Sequence, residues 1–189
     1  VLTAAGLYGA RVQVFKADPA ASGLPDRVAN VVVSGRSMTQ PVPPLVLAEA
    51  GRVVRPWGGA TAFGPGAQLA VTRRRALPDT GQWTHQYASA WNPGASTDSV
   101  ARAPLRLAWY NDWGVLMPSR HGRAPAPLFK DGYLVALGLN AVLCADAYNG
   151  RLLWQYPIPD LMAFYNGEHN AGVARTHGVC CLADDSEYL

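Results

Sequence analysis

The sequence predicts two regions of different fold class, an α/β region followed by an all-β region. In the first, residues 1 to about 70, strand signals alternate with one helical spacing. In the second, residues 104–189, short strand-like runs follow one another and are separated by turn signals such as Asn149-Gly150. A connector without clear periodicity, residues 71–103, lies between the two regions.

The composition favours many turns between short strands and excludes several classes of protein. The chain has 19 Gly and 15 Pro, 49% hydrophobic residues, and only 15% charged residues with a net charge of +3. Arg73 to Arg75 form the only basic cluster, which is either a solvated linker or a contact for phosphate or an anionic surface. We expect no nucleic-acid partner, because no recognised binding motif accompanies this cluster. No transmembrane segment is predicted, because no run of 18 apolar residues exists.

The α/β region is predicted from four segments. Residues 10–15 alternate in polarity and predict a strand, and the β-branched run 28–33 predicts a strand that is buried on both faces. Residues 45–54 have apolar residues at helical spacing and predict a helix. Residues 60–64 predict another short strand. The order β-loop-β-α-β implies a parallel sheet with helical crossovers.

The all-β region contains a repeated pattern. Trp109 and Trp154 each follow an Arg-Leu-aliphatic sequence within a strand-like run, 45 residues apart. A period of about 40–45 residues built from short strands is typical of β-propeller blades. Strands are predicted at 132–137, 141–145 and 151–156, and a further one begins near 178. Because a propeller closes with roughly 4–8 blades, about two units predict an incomplete propeller and a piece of a longer protein.

The second region resembles a known family of repeats. Residues 131–135 and then 145–154 resemble a pyrroloquinoline-quinone-like (PQQ-like) propeller repeat, in which a strand is followed by Leu-Asp-Ala-x-Thr-Gly-Lys-x-x-Trp. Ala145, Asn149 and Arg151 stand where that pattern has Leu, Thr and Lys.

The approach to this region also resembles quinoprotein dehydrogenases, whose opening reads Trp-x-x-x-Tyr…Asn. Trp83, Tyr87 and Asn92 occupy those positions.

The resemblance implies structural roles for four residues. In blades of this family the Trp packs between neighbouring blades, a role that falls to Trp109 and Trp154. The Asp and the Gly shape the hairpin, and here they are Asp146 and Gly150. Many members of the family bind no quinone and act as scaffolds or interaction platforms.

The first region resembles the second half of a class I S-adenosylmethionine-dependent (SAM-dependent) methyltransferase, a Rossmann-like fold. The resemblance lies in residues 17–20, 24–26, 28–34 and 50–59, the last of which is similar to the family's Val-Leu-Arg/Lys-Pro-Gly-Gly turn. It implies that Asp18 lies beside the cofactor's adenine, whose amino group a carboxylate can bind. Alternatively, Asp18 caps its own loop. The family's Gly-rich loop is not in this chain, so we expect weak cofactor binding by these residues alone.

Other candidate site residues carry two interpretations each. Arg120, His121 and Arg123 either bind a carboxylate or phosphate or form a solvated loop between strands. His169 beside Glu168 either acts as a general acid or base or is a structural or solvated residue.

We predict no metal site, because the odd set of Cys144, Cys180 and Cys181 lacks zinc spacing. Its members are predicted to be small buried hydrophobic residues.

The sequence is compatible with three functions. The first is a PQQ-like repeat protein of binding or scaffold type that carries a methyltransferase-like segment. The second is a PQQ-dependent oxidoreductase, and the third is an active SAM-dependent methyltransferase in the full-length parent. Whether the protein is an enzyme is open, and SAM or PQQ is expected only in that parent. Because an open propeller leaves strand edges unpaired, we expect the rest of the chain or a protein partner to cover them. The compartment is open as well, with the periplasm or cell envelope slightly favoured over the cytoplasm.

Overall fold

The computed structural model describes residues 1–9, 11–64, 69–114, 125–138, 140–159 and 180–184, and the backbone of 187–188. Its elements, in chain order, are β1 (Val31–Val33), a 3-10 helix (Gly35–Met38), α1 (Pro44–Val53), β2 (Ala60–Phe63), β3 (Ala70–Arg73), β4 (Leu128–Lys130), β5 (Tyr133–Leu137), β6 (Ala141–Asp146), β7 (Leu152–Pro157), β8 (Cys181–Leu182) and β9 (Glu187–Tyr188). No helix in these residues is long and apolar enough to cross a bilayer.

The first sheet has three strands in the order β1-β2-β3. β1 and β2 are parallel, as a helical crossover between them requires, and β3 pairs antiparallel with β2. Helix α1 makes that crossover and begins at a proline, which is tolerated there because an N–H in the first turn has no intrahelical acceptor. It buries Ala50 and Val53. Arg74 donates to the carbonyls of Gly51 and Val54, which the end of the helix leaves without intrahelical partners.

The second sheet is an antiparallel meander in the order β4-β5-β6-β7. All six residues of β6 are buried, so this strand lies at the centre of the core. One face packs in a cluster composed of Leu128, Val135, Leu137, Val142, Cys144 and Cys180. The other face buries Ala136, Leu143 and Ala145 against Trp113. The outer side of β4 is covered by Trp83, whose N–H and carbonyl both bond Phe129 at 2.8 Å.

The predicted fold class is wrong. In the described residues strands dominate and there is a single α-helix, so neither a Rossmann-like α/β fold nor a closed propeller is present. Of the strand predicted at 10–15, residue 10 lies outside the described residues and residues 11–15 form no strand; the described part has an isolated bridge between Tyr8 and Val12, and Val14 and Phe15 are exposed. The alternating pattern failed there because no sheet is available to bury its apolar side.

The predicted repeat of two equivalent blades is also wrong in its first half. Residues 104–110, which contain Trp109, belong to no strand, and their backbone pairs with no other described segment. Leu105 and Leu107 are 82% and 83% exposed. A strand needs neighbours on which to place its backbone hydrogen bonds, and sequence similarity to β7 does not supply them.

Several local predictions are confirmed. The helix predicted at 45–54 is present one residue earlier, and the strands predicted at 132–137, 141–145 and 151–156 are present as β5, β6 and β7. β5 and β6 bury most of their apolar residues, whereas α1 and β7 follow the local pattern with several apolar side chains exposed. The strand predicted at 28–33 is present only as β1, and its predicted burial on both faces is wrong, because Val31 and Val33 are more than half exposed.

Glu49 ties the loop before β1 to helix α1. Its carboxylate accepts hydrogen bonds from Arg52 at 2.7 and 2.8 Å and from the hydroxyl and N–H of Ser22 at 2.6 and 2.9 Å. Arg52 also pairs with Asp26. The bonds from Arg52, followed by those from Ser22, hold the pKa of Glu49 at about 2, well below its ordinary value of 4.5.

This lowered pKa predicts an acid-sensitive contribution to stability. Because the folded pKa is below the unfolded one, the contribution is complete above about pH 4.5 and is lost as the pH falls toward about 2. Glu49→Gln should therefore reduce stability at neutral pH and flatten the stability profile across that window. Urea unfolding followed by circular dichroism checks this, and a variant profile parallel to that of the wild type contradicts it.

Candidate interaction surface

The turn Asp146–Gly150 between β6 and β7 is held by its own hydrogen bonds. Asp146 is 2% exposed. Its Oδ1 accepts the Tyr148 N–H at 3.0 Å, and its carbonyl accepts the Gly150 N–H at 2.8 Å. Gly150 has a φ of +70°, a conformation that costs glycine little because it has no Cβ. The sequence therefore places a charged carboxylate inside the fold, where it needs partners.

Residues beside the first sheet supply partners on one side of this turn. The Arg55 Nε lies 3.2 Å from the Asp146 Oδ2. The Asn149 side chain donates to the Asn30 Oδ1 at 3.1 Å and to the Val28 carbonyl at 3.2 Å. Burial is also the main cause of a raised pKa for Tyr148 in the same turn. The turn thus joins the meander to the unit composed of β1, α1, β2 and β3, which we call the strand-and-helix unit.

An extended segment supplies partners on the other side. The Trp109 Nε1 donates to the Ala147 carbonyl at 2.9 Å, and its ring lies against Gly150 so closely that a Cβ there would be 2.3 Å from Cε3. Asn111 and Trp113 both donate to the Gly150 carbonyl at 3.0 Å. The Trp109 and Trp113 rings are 5.6 Å apart between centroids. Trp109 is therefore fixed to the turn by packing and by a directed hydrogen bond.

Trp154 lies in a different setting. It is on β7, where it pairs with Cys144 of β6, and it is 42% exposed. Leu152 and Tyr156 beside it are 38% and 63% exposed. On its outer side β7 has no strand partner among the described residues. The predicted equivalence of Trp109 and Trp154 is thus not seen. We call residues 152–156 the β7 edge; Leu152, Trp154 and Tyr156 are exposed there, while Leu153 packs against the core.

Asp18 is exposed, and its Oδ1 accepts the N–H of Ala20 at 2.9 Å. This is the loop-capping contact of the alternative interpretation. Its neighbours Ala17 and Pro19 line a cleft of about 420 Å³ beside the 3-10 helix. A role for Asp18 toward an adenine stays a prediction.

Other predicted site residues fall partly outside the described structure. Arg120, His121 and Arg123 lie outside the described residues, as do Glu168 and His169. Among the described residues no group of three or more His, Cys, Asp or Glu is placed to hold a metal ion.

No disulfide bond joins the three cysteines. Cys144 and Cys180 lie in the apolar core, which confirms their predicted role, whereas Cys181 is half-buried.

The sequence alone missed Arg55, Asn111 and Trp113 as partners of the turn. A single indication was present for Arg55, a cation directly after a predicted helix. Nothing in the spacing of the chain connects it with a carboxylate 91 positions later.

Comparison with protein-family models, with curated proteins and with solved structures finds no match for this chain. The resemblances to quinoprotein repeats and to methyltransferases therefore stay predictions.

We expect Gly150→Ala to destabilise the fold by about 3 kcal/mol, because the added methyl group both strains a positive φ and meets the Trp109 ring. Gly94→Ala is the matched control. Gly94 has nearly the same φ, +69°, but nothing lies within 4 Å of an added Cβ, so only about 1 kcal/mol of strain is expected. Urea unfolding measures both free energies. In a Trp109→Ala background the excess cost at Gly150 should fall, and equal costs at the two glycines contradict the contact.

Proposed function

We propose that the chain is a binding and scaffold module, and that the β7 edge is its docking surface. The observation that carries this proposal is the row Leu152, Trp154 and Tyr156, which stands exposed on an outer strand without a described partner. Proteins of binding type use such edges by adding a strand from a partner through main-chain hydrogen bonds.

The chemistry of the β7 edge supports docking rather than protection. Soluble proteins usually blunt an exposed edge with charged residues or proline. Here the single charge, Arg151, precedes the strand, and Pro157 is its last residue. Residues 152–156 carry no charge and contain two aromatic side chains. The partner that fits is a protein segment in an extended conformation with apolar side chains at alternate positions.

The β7 edge is supported by the neighbouring strand β6 and by the turn between the two strands. β6 is buried throughout, and the turn that leads into β7 is held by Asp146 and by Trp109. A preorganised edge loses little conformational entropy on binding, which raises the affinity available from a short strand. The contacts of Asp146, Gly150 and Trp109 thus stabilise the turn that supports β7. This structural role favours the scaffold function over the two catalytic alternatives.

The proposal predicts self-association when no partner is present. We expect the chain to form concentration-dependent oligomers in sedimentation velocity, because identical free edges pair with one another. The double variant Trp154→Lys/Tyr156→Lys should be monomeric at the same concentrations, because two charges oppose strand addition. Tyr133→Lys is the matched control. Tyr133 is a 53% exposed tyrosine on β5, which has a neighbour on both sides, so association should persist.

Two results would contradict the proposal. One is a wild-type chain that stays monomeric over the whole concentration range and melts cooperatively. The other is equal loss of association in Tyr133→Lys and in the β7 variant. Circular dichroism of all three proteins confirms that each comparison is made between folded chains.

A further inference from the structure

A second feature of the surface lies away from the β7 edge, on the strand-and-helix unit. A cleft of about 290 Å³ separates the C-terminal half of α1 from the paired strands β2 and β3. Its helical wall consists of Leu47, Gly51 and Val54, which lie on one face because they are four and three residues apart. The volume is close to that of a small-molecule site.

The opposite wall is rich in hydrogen-bond donors. Thr61 and Thr72 are direct partners in the β2–β3 register, so their side chains stand on the same face of the sheet. Arg73 and Arg74 also line the cleft. Arg73 follows Thr72 in β3, so its Cβ lies on the opposite face of the sheet, and its long side chain reaches the cleft around the edge that β3 forms. No carboxylate lines it, so the site carries positive charge with two hydroxyl groups alongside. From the sequence, the basic cluster is either a solvated linker or a contact for an anion. Two of its members, Arg73 and Arg74, form part of the wall of this cleft.

The two arginines differ in how they are held. Arg74 is fixed, since it donates to the carbonyls of Gly51 and Val54 at the end of α1. These bonds offset the partial negative charge of the helix C-terminus, which would otherwise repel an anion. Burial, followed by the positive charge of Arg27, lowers the pKa of Arg74. Arg73 is exposed and has no salt bridge within the part of the chain that the structure describes, so its guanidinium is available.

We propose that this cleft binds a small organic phosphate, with Arg73, Arg74 and the two threonines around the phosphoryl oxygens and the organic part against Leu47 and Phe63. Phosphate fits the donors better than a carboxylate does, because it offers more acceptor oxygens to guanidinium and hydroxyl groups. The apolar residues of the cleft favour an organic ester over the inorganic ion.

Gly51 offers a way to fill the cleft without disturbing the fold. A Cβ at this position meets no heavy atom within 4 Å. Gly51 lies inside α1, where any larger helix-forming residue is favoured over glycine. Gly51→Leu should therefore occupy the space where the ligand binds and leave the fold intact.

The test uses the full chain with phenyl phosphate as the probe and phenol as its uncharged counterpart. Titration followed by amide chemical shifts should show saturable binding of phenyl phosphate that maps to α1, β2 and β3. Arg73→Gln should weaken binding by about 10-fold, because a charge-assisted hydrogen bond is lost. Gly51→Leu should abolish it. Arg75→Gln is the matched control, because Arg75 is adjacent and exposed but does not line the cleft.

Four outcomes overturn the proposal. The first is the absence of saturable binding in the millimolar range. The second is equal weakening by Arg73→Gln and Arg75→Gln, which would show diffuse attraction to the basic cluster. The third is unchanged binding in Gly51→Leu. Phenol binding as tightly as phenyl phosphate would likewise exclude a site built for an anion. Thermal melting verifies that each variant remains folded.

Discussion

The buried carboxylate of Asp146 is the constraint on which the rest of this structure depends. A carboxylate that is 2% exposed is stable only when hydrogen bonds and an opposite charge replace its water. One oxygen is satisfied within the turn by Tyr148, and the other lies near Arg55 and Asn149. Arg55 lies two residues beyond the end of helix α1, so the requirement of one side chain fixes the position of the strand-and-helix unit against the meander.

The same turn explains why the chain presents an edge for binding. Trp109 and Trp113 cover Gly150 from the other side, so the turn is enclosed and β7 leaves it in a fixed direction. The strand then continues with no partner on its outer side among the described strands. A rigid turn and a free strand are complementary properties: the first lowers the entropy lost on binding, and the second supplies the hydrogen bonds that a partner uses.

The sequence predicted the local elements well and their assembly poorly, and the reasons are physical. Strands β5 to β7 pair with their neighbours in the chain, so polarity and the Asn149-Gly150 turn were sufficient to find them. The segment around Trp109 has nearly the same pattern as β7, but a strand exists only where a second strand accepts its hydrogen bonds, and pattern does not report that. Likewise Asp146 was recognised as a turn residue, whereas its pairing with Arg55 depends on a contact across 91 residues, which leaves no periodic signal.

The central claim is that Asp146 and Arg55 couple the two sheets energetically. A double-mutant cycle with Asp146→Asn and Arg55→Gln, measured by urea unfolding, tests it most directly. The account predicts a coupling free energy of about 2 kcal/mol, since groups within one buried network are not additive. A coupling free energy near zero means that the double variant loses as much stability as the two single variants lose together. That result would show that the two sheets fold independently of this pair, and it would contradict the account.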